Sequence, residues 1–402
     1  MSSYKLNTPE GTRNLLFGEC RLKRRVERRL EEYYLSKGFY EVITPTLEFS
    51  DVFAQNGVNV FESAYKLFDP RGRVLMLRPD VTMPVARVVS SQLNGVRMPL
   101  KLFYTQNVFA MKHGVAGSRD ELTQSGVEVV GADGFAADTD ILVTAAQALA
   151  CCAPRFQIEV DCTGFYEALA ASACLTAEQD GQIRRLIGGK NYAALKSYVD
   201  GCGNGPAFDA LKLLPQLFGG KEVPQKARAL AAGNEKALAE LDRLERLMSR
   251  LEALGFAGRI TYDLGLIDLI GYYTGIVFKG YVEGFGTEVL SGGRYNNLYG
   301  CFGASHPAAG FAINVDAVSD ALYTAGTRVE QQPPQWLLLI RAEETASRFM
   351  QELTAQGQTF TLSPTEDEDE AAVYAAAMGM KKLAVAEENS VRTVELTPKE
   401  EA

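Results

Sequence analysis

Short strand-like runs recur from residue 39 to residue 315 without settling into a regular strand–helix–strand alternation, and this constrains the fold most. The runs fall at 39–44, 64–68, 74–77, 100–103, 126–130, 156–160, 259–264, 272–283 and 308–315. A parallel sheet needs a long crossover, usually a helix, between each pair of neighbours. Too few helical segments separate these runs to supply one each, so the pattern predicts an α+β fold built on an antiparallel sheet flanked by helices. Helices are predicted at 18–37, 81–94 and 136–151. In the first, Leu22, Val26, Leu30 and Tyr33/Tyr34 recur at helical spacing, and Gly38 stands where a C-terminal cap belongs. Its basic residues (Arg21, Lys23, Arg24, Arg25, Arg28, Arg29) read as a solvated face. The glycine-rich stretch 284–303 reads as hairpin turns.

Two changes of texture divide the chain. From about 163 to 255, helices separated by breaks such as Gly203-Asn204-Gly205-Pro206 read as a helical insertion. Within it Asn234 is a plausible N-cap, followed by Leu238, Leu241, Leu244, Leu247, Leu251 and Leu254 as a packing stripe. The second change follows the linker-like Gln331-Gln332-Pro333-Pro334. From Gly326 onward there are seven basic and fourteen acidic residues, a net of −7 out of −9 for the whole chain. Residues 1–325 are therefore nearly neutral. They are expected to form one core, and residues 335–402 a small acidic α/β domain. In that domain, strands at 336–340, 359–362 and 382–386 alternate with helices at 343–356 and 370–379. Its acidic run, Glu366 to Glu370, is expected on one loop.

Composition excludes several function classes. A net charge of −9 argues against a chain whose main partner is a nucleic-acid backbone. No apolar run approaches the eighteen or so residues of a membrane span, and the first residues resemble no export signal, so a cytoplasmic chain is expected. Seven cysteines with no C-x-x-C fit reduced thiols better than disulfides or a zinc site. Only His113 and His306 could serve a histidine-based centre. There is no P-loop, G-x-S-x-G, H-E-x-x-H or Rossmann fingerprint. No metal and no cofactor are expected. One polar position stands out on the strands. Alternation puts Glu128 on the opposite face from Val127 and Val129, either as a surface acid or as one facing a cleft.

An ordered series of motifs spans the chain. It runs Thr8-Pro9-Glu10-Gly11-Thr12-Arg13, then Gly38-Phe39-Tyr40-Glu41-Val42-Ile43-Thr44-Pro45-Thr46-Leu47-Glu48, then Leu77-Arg78-Pro79-Asp80-Val81-Thr82. Thr123-Gln124-Ser125-Gly126-Val127-Glu128-Val129-Val130-Gly131, Tyr272-Tyr273-Thr274-Gly275, Ser291-Gly292-Gly293-Arg294-Tyr295 and Ala309-Gly310-Phe311-Ala312 follow. Over residues 8 to about 320 this resembles the core of the class II histidyl-tRNA synthetases. The resemblance implies an antiparallel sheet of six or more strands and a dimer formed through the segment around Pro45. It also implies a histidine pocket at Asp80, Thr82, Gln124, Glu128, Tyr272 and Tyr273, with Asp80 where the synthetases usually carry Glu. The chemistry is coherent: carboxylates meet an ammonium or an imidazole N–H, and aromatic rings form the wall.

The nucleotide half of the resemblance has decayed. Where the synthetases read Phe-Arg-x-Glu, this chain reads Phe109-Ala110-Met111-Lys112, and the loop beyond carries Ser118 and Asp120. The catalytic arginine before the tyrosine pair falls at Asp268, and the adenine-stacking arginine at Ala317. A single well-placed arginine contributes roughly 10³–10⁵ in phosphoryl-group chemistry, so losing several implies no adenylation. Lys112, Arg119 and Arg294 are the basic residues left nearby in sequence. A histidine pocket without an ATP site resembles the regulatory subunits of ATP phosphoribosyltransferase, including Arg78-Pro79-Asp80 and 263–280; Ala110 departs from the arginine those subunits often keep. That resemblance implies a non-catalytic chain, a homodimer within a hetero-oligomer (a hetero-octamer) with the short-form catalytic subunit, L-histidine as effector, and no tRNA or membrane partner. The competing readings are a divergent histidyl-tRNA synthetase or other adenylating paralogue, and an RNA-binding pseudo-synthetase.

Overall fold

The structure is a computed structural model that describes residues 4–53, 64–111, 119–267 and 273–396. Its strands in chain order are β1 (Tyr40–Glu41), β2 (Leu47–Phe49), β3 (Lys66–Phe68), β4 (Val74–Leu77), β5 (Leu100–Phe109), β6 (Glu121–Val130), β7 (Phe156–Cys162) and β8 (Phe218–Gly219). Then come β9 (Ile260–Asp263), β10 (Ile276–Val282), β11 (Leu290–Arg294), β12 (Ala308–Asn314), β13 (Trp336–Ile340), β14 (Phe360–Leu362), β15 (Lys382–Ala386) and β16 (Val391–Glu395). The helices are α1 (Phe17–Ser36), α2 (Thr82–Ser91), α3 (Phe135–Cys152), α4 (Thr163–Ser172), α5 (Ala177–Gly188), α6 (Tyr192–Cys202), α7 (Pro206–Leu213), α8 (Val223–Leu230), α9 (Glu235–Leu251), α10 (Val315–Thr324), α11 (Glu343–Ala355) and α12 (Glu368–Ala377). The chain divides into two units, Met1–Arg328 and Val329–Ala402.

The first unit is built on a nine-stranded sheet of order β1-β5-β6-β12-β11-β10-β7-β9-β8. The six neighbours from β5 to β7 pair antiparallel, as expected. The sheet is mixed at two joints, because β1 pairs parallel with β5, and β7 with β9. Between β7 and β9 runs the helical insertion α4–α9, a crossover long enough for parallel pairing. One face of the sheet is packed through Phe103, Val127, Val129, Ile158, Val160, Phe278 and Phe311 in a core that includes residues of α1, α3 and the insertion. On the other face Leu102, Tyr104, Val108, Val130 and Ala308 share a smaller core with Val85, Ala86 and Val89 of α2 and Met76 of β4. α3 is the one helix among the described residues long and apolar enough to cross a membrane. Here it is a core helix, with Ile141, Leu142, Ala145 and Leu149 buried.

Local expectations meet several corrections. The glycine-rich stretch is not only turns: Leu290–Arg294 is a central strand. A Cβ on Gly292 would lie 2.5 Å from Phe311 Cβ, and one on Gly293 2.6 Å from the Ile276 carbonyl, so the close approach of neighbouring groups requires glycine there. Strands β5 and β6 each run ten residues, well past the apolar segments. Their polar portions are satisfied by Thr105–Ser125 (3.0 Å), Thr123–Asn107 (2.7 Å) and Gln106 Nε2 donating to the Val42 carbonyl (2.8 Å). In the insertion, Asn234 caps α9 by accepting from the Ala237 N–H at 3.1 Å. Leu241, Leu244, Leu247 and Leu251 are buried, whereas Leu254 is exposed.

The second unit is a four-stranded sheet of order β14-β13-β15-β16, parallel except for the antiparallel edge β16. That edge strand escapes the sequence reading because Arg392 and Glu395 interrupt it and none of its five residues is buried. The acidic run is not one loop. Asp367 accepts from the Glu370 N–H at 2.9 Å and caps α12, whose first turn holds Glu368, Asp369 and Glu370. Acids belong at that end of a helix dipole, and Glu368 also meets Arg392 at 2.6 Å.

Candidate ligand-binding site

Sheet register places the site. Read across the strands, Leu102 faces Glu128, Glu128 faces Gly310, Gly310 faces Gly293, and Gly293 faces Val277, so these residues share one face. It is the face opposite Val127 and Val129, which pack in the larger core. The two glycines leave a floor without side chains. A Cβ on Gly310 would lie 2.2 Å from Glu128 Oε2 and 2.5 Å from the Tyr295 hydroxyl oxygen, so both groups occupy the space over that glycine. A Cβ on Gly126, two residues before Glu128, would lie 2.6 Å from the Tyr104 hydroxyl oxygen.

Asp80 ends the segment after β4. Its Oδ1 accepts from the Met83 N–H at 2.9 Å, so the side chain serves the start of α2 while facing the same space. Arg78, two residues earlier, is buried and structural. It donates to the Thr44 carbonyl at 2.6 Å and to the Asn107 carbonyl at 2.7 Å, tying the segment before Pro45 to β5. Thr82 lies at the head of α2, half-buried. Gln124, paired in register with Gln106 and Asn314, lies on the Glu128 face two alternations away. Its side chain has no hydrogen bond among the described residues. Tyr273 lies over Gly293 and against Tyr295, ring centroids 6.4 Å apart. Tyr272 and Asp268 lie outside the described residues, as does Lys112. Geometry thus brings together Asp80, Thr82 and Glu128, with Tyr273 beside them and Gln124 further along the strand.

The electrostatics are those of a buried polar cluster with unmet demand. Glu128 is 1% exposed, and its Oε2 has no hydrogen-bond partner among the described residues. Burial, reinforced by the nearby Asp80, pushes Glu128 up to about 8, against the pull of the Thr82 and Tyr104 hydroxyls. Burial likewise raises Asp80 to about 6, opposed by the Met83 and Thr82 N–H groups. Two carboxyls in one water-poor site resist ionising together. The Tyr104 and Tyr299 hydroxyls are buried without partners and raised by burial first and by Glu128 second. A ligand offering N–H donors and positive charge would satisfy these acceptors. Tyr104, Tyr295 and Tyr299 were not assigned a role from sequence. Strand alternation could have found Tyr104, in step with Glu128's partner Leu102, whereas Tyr299 carries no sequence signal of its own.

The positions matching the synthetases' nucleotide end look different. Ala110 follows β5, and its N–H donates to the Asp120 carbonyl at 2.8 Å. Ala317 is buried in the first turn of α10, its N–H held by Asn314 at 3.0 Å. Arg119 is paired with Asp320 at 2.5 Å and Asp316 at 3.6 Å. Asp316 also holds Lys23 at 2.9 Å and accepts from the Thr123 N–H at 2.6 Å. Arg294 is buried against Asp138 at 2.6 Å. Of these basic residues, Arg119 is committed to carboxylates, whereas Arg294 lies toward the other end of the sheet, in register with Ala309 and through it with Val129.

Comparisons with known proteins agree with this architecture. The family model described as histidyl-tRNA synthetase matches residues 11–318. An ATP phosphoribosyltransferase regulatory subunit of Clostridium botulinum (strain Langeland / NCTC 10281 / Type F) is 39% identical over 94% of this chain and 92% of its own length. That of Clostridium kluyveri is 37% identical over 96% of this chain and all of its own. Among solved structures, an ATP phosphoribosyltransferase regulatory subunit/histidyl-tRNA synthetase from Bacillus halodurans C superposes with TM-score 0.82 at 27% identity, covering 93% of this chain and 97% of that one. A histidyl-tRNA synthetase from Nostoc sp. PCC 7120 shares the fold, with TM-score 0.78 at 20% identity and 97% of each chain covered. The chain therefore belongs to the histidyl-tRNA synthetase-like family, in the branch of the ATP phosphoribosyltransferase regulatory subunits.

Proposed function

We propose that this chain is a non-catalytic subunit that acts with a short-form ATP phosphoribosyltransferase catalytic subunit in the first step of histidine biosynthesis and conveys feedback inhibition by L-histidine. The histidine site is read as Asp80, Thr82, Gln124, Glu128, Tyr272 and Tyr273. One observation carries the reading: among the described residues Glu128 Oε2 is buried without a donor while Asp80 acts on it, and Arg119 at the nucleotide end is already paired. Buried polar atoms without partners are rare and call for a ligand or water. Adenylation, by contrast, needs free cations to meet developing phosphate charge.

The assembly reading rests on surface chemistry and on the relatives' names. Tyr40 (73% exposed), Ile43, Leu47, Phe49, Leu67 and Phe68 are exposed apolar residues around Pro45 and the β2–β4 sheet. Such a patch suits a homodimer contact, within a hetero-oligomer, read as a hetero-octamer, with the catalytic subunit. The acid excess of the second unit opposes an RNA backbone, so no tRNA partner is proposed. The test is reconstitution. The full chain is mixed with a short catalytic chain and assayed for phosphoribosyl transfer with and without histidine. Activity that requires this chain and falls with histidine is expected; activity indifferent to both would overturn the reading.

A further inference from the structure

The pocket raises a question of charge that ligand binding alone does not answer. The groups acting on Glu128 are Asp80 from the segment after β4, Thr82 from α2 and Tyr104 from β5; Tyr295 shares its space over Gly310, and Tyr299 feels its charge. None is a cation. A carboxylate 1% exposed, with one oxygen lacking any donor among the described residues and a second carboxyl nearby, has only the Thr82 and Tyr104 hydroxyls to offset the cost of burying its negative charge. The protonated form needs no counter-charge and places an O–H among hydroxyl acceptors.

We propose that Glu128 holds a proton in the ligand-free protein, and that the ammonium of a ligand expels it to solvent on binding. The step balances. The Glu128 O–H bond breaks, its electron pair stays on the carboxylate, the proton passes through water to buffer, and an N–H of the ligand takes its place as donor. A positive charge within about 4–6 Å lowers a neighbouring acid by roughly 1–3 pH units. That carries Glu128 from about 8 toward or below neutrality. Occupancy then depends on pH as well as on ligand concentration, and this deepens the histidine reading above, on which the choice of ligand rests.

Two measurements on the full chain test it separately. Difference infrared spectroscopy of the ligand-free protein at pH 7, wild type minus Glu128→Gln, is expected to show the carbonyl stretch of a protonated carboxyl. Its absence would overturn the stored proton whatever the ligand proves to be. Calorimetric titration of L-histidine at pH 7, in buffers of differing ionisation enthalpy, is expected to show about one proton released per site, falling toward none at pH 9. Tight binding with no buffer dependence at pH 7 would overturn the expulsion. No binding in any buffer would instead sink the histidine reading, leaving the infrared band to decide the stored proton.

Discussion

Around Glu128 this chain keeps buried polar groups whose hydrogen-bonding capacity is unspent; around Arg119 and Asp316 it has neutralised its cations internally. Among the described residues Glu128 Oε2 and the Tyr104 and Tyr299 hydroxyls lack partners, whereas Arg13, Lys23, Arg119, Asp316 and Asp320 form a network of ion pairs. A fold gains nothing from leaving a carboxyl unsatisfied in its interior, and the cost is on the order of 1–3 kcal/mol or more for a charged group. Persistence of such a cost at one region, beside tidy pairing at another, sets the two regions apart. Retained motif residues therefore need sorting by what their side chains still have free. Arg78 sits in a motif as prominent as the one carrying Asp80, yet it is spent on the Thr44 and Asn107 carbonyls, and Arg294 is ion-paired to Asp138 with one buried Nη2 left over.

The contrast can be broken most decisively by chemistry at the nucleotide end. Histidine-dependent pyrophosphate exchange is expected to stay at background, and Ala110→Arg alone is not expected to restore it. Each missing arginine accounts for roughly 10³–10⁵ in rate, so clear turnover in an exchange assay would erase the distinction. Next in size are the pocket substitutions. Asp80→Ala and Glu128→Ala each remove a charge-assisted contact of about 1.5–3 kcal/mol, and calorimetry should show histidine affinity falling by about 10- to 150-fold. Undiminished binding in both would remove the pocket assignment.

Protonation supplies a subtler test. An acid raised from 4.5 to about 8 on folding binds its proton more tightly in the native state. Its contribution is therefore undiminished below about pH 4.5 and is lost as pH climbs toward 8, by roughly 1.4 kcal/mol per pH unit inside that window. Urea unfolding of the ligand-free chain at pH 6, 7 and 8 should show this fall in wild type and a flatter profile in Glu128→Gln. Parallel profiles would show that Glu128 is ionised in the ligand-free protein. The smallest effect is expected at the other region. Arg119 and Asp320 are partly exposed, so Asp320→Ala should cost less than about 1 kcal/mol in the same unfolding assay and leave histidine affinity unchanged.

Much of the fold was legible from residues alone, for reasons that vary by element. α1 and α9 were readable because an apolar stripe at helical spacing marks the buried face, and α9 carries its cap at Asn234. β11 was not, because Gly292 and Gly293 have no side chain to alternate, and the constraint lies in Phe278, Phe311 and Tyr273 packed against them. The polar ends of β5 and β6 were missed because their partners, Val42, Thr44 and the facing strand, are supplied from elsewhere in the chain. Within the candidate site, Asp80, Thr82, Glu128 and Tyr273 were named from a resemblance in motif order. Tyr104 was overlooked because a tyrosine inside an apolar strand looks like core until its hydroxyl is placed.

By itself, the sequence determined an antiparallel-rich α+β core with a helical insertion and a nearly neutral body followed by an acidic tail; the resemblance in motif order added Ala110 and Ala317 as positions where the synthetases carry arginine. These are properties of residue identity, spacing and order, and they survive whatever the packing does. Only the tertiary structure decided which surviving charges are free. It spends Arg119 on Asp316 and Asp320 and Arg294 on Asp138, and it buries Glu128 beside Asp80 with one oxygen unmet. Those partners lie tens to hundreds of residues apart in the chain, and whether a charge is paired or desolvated depends on distances that the linear order does not encode.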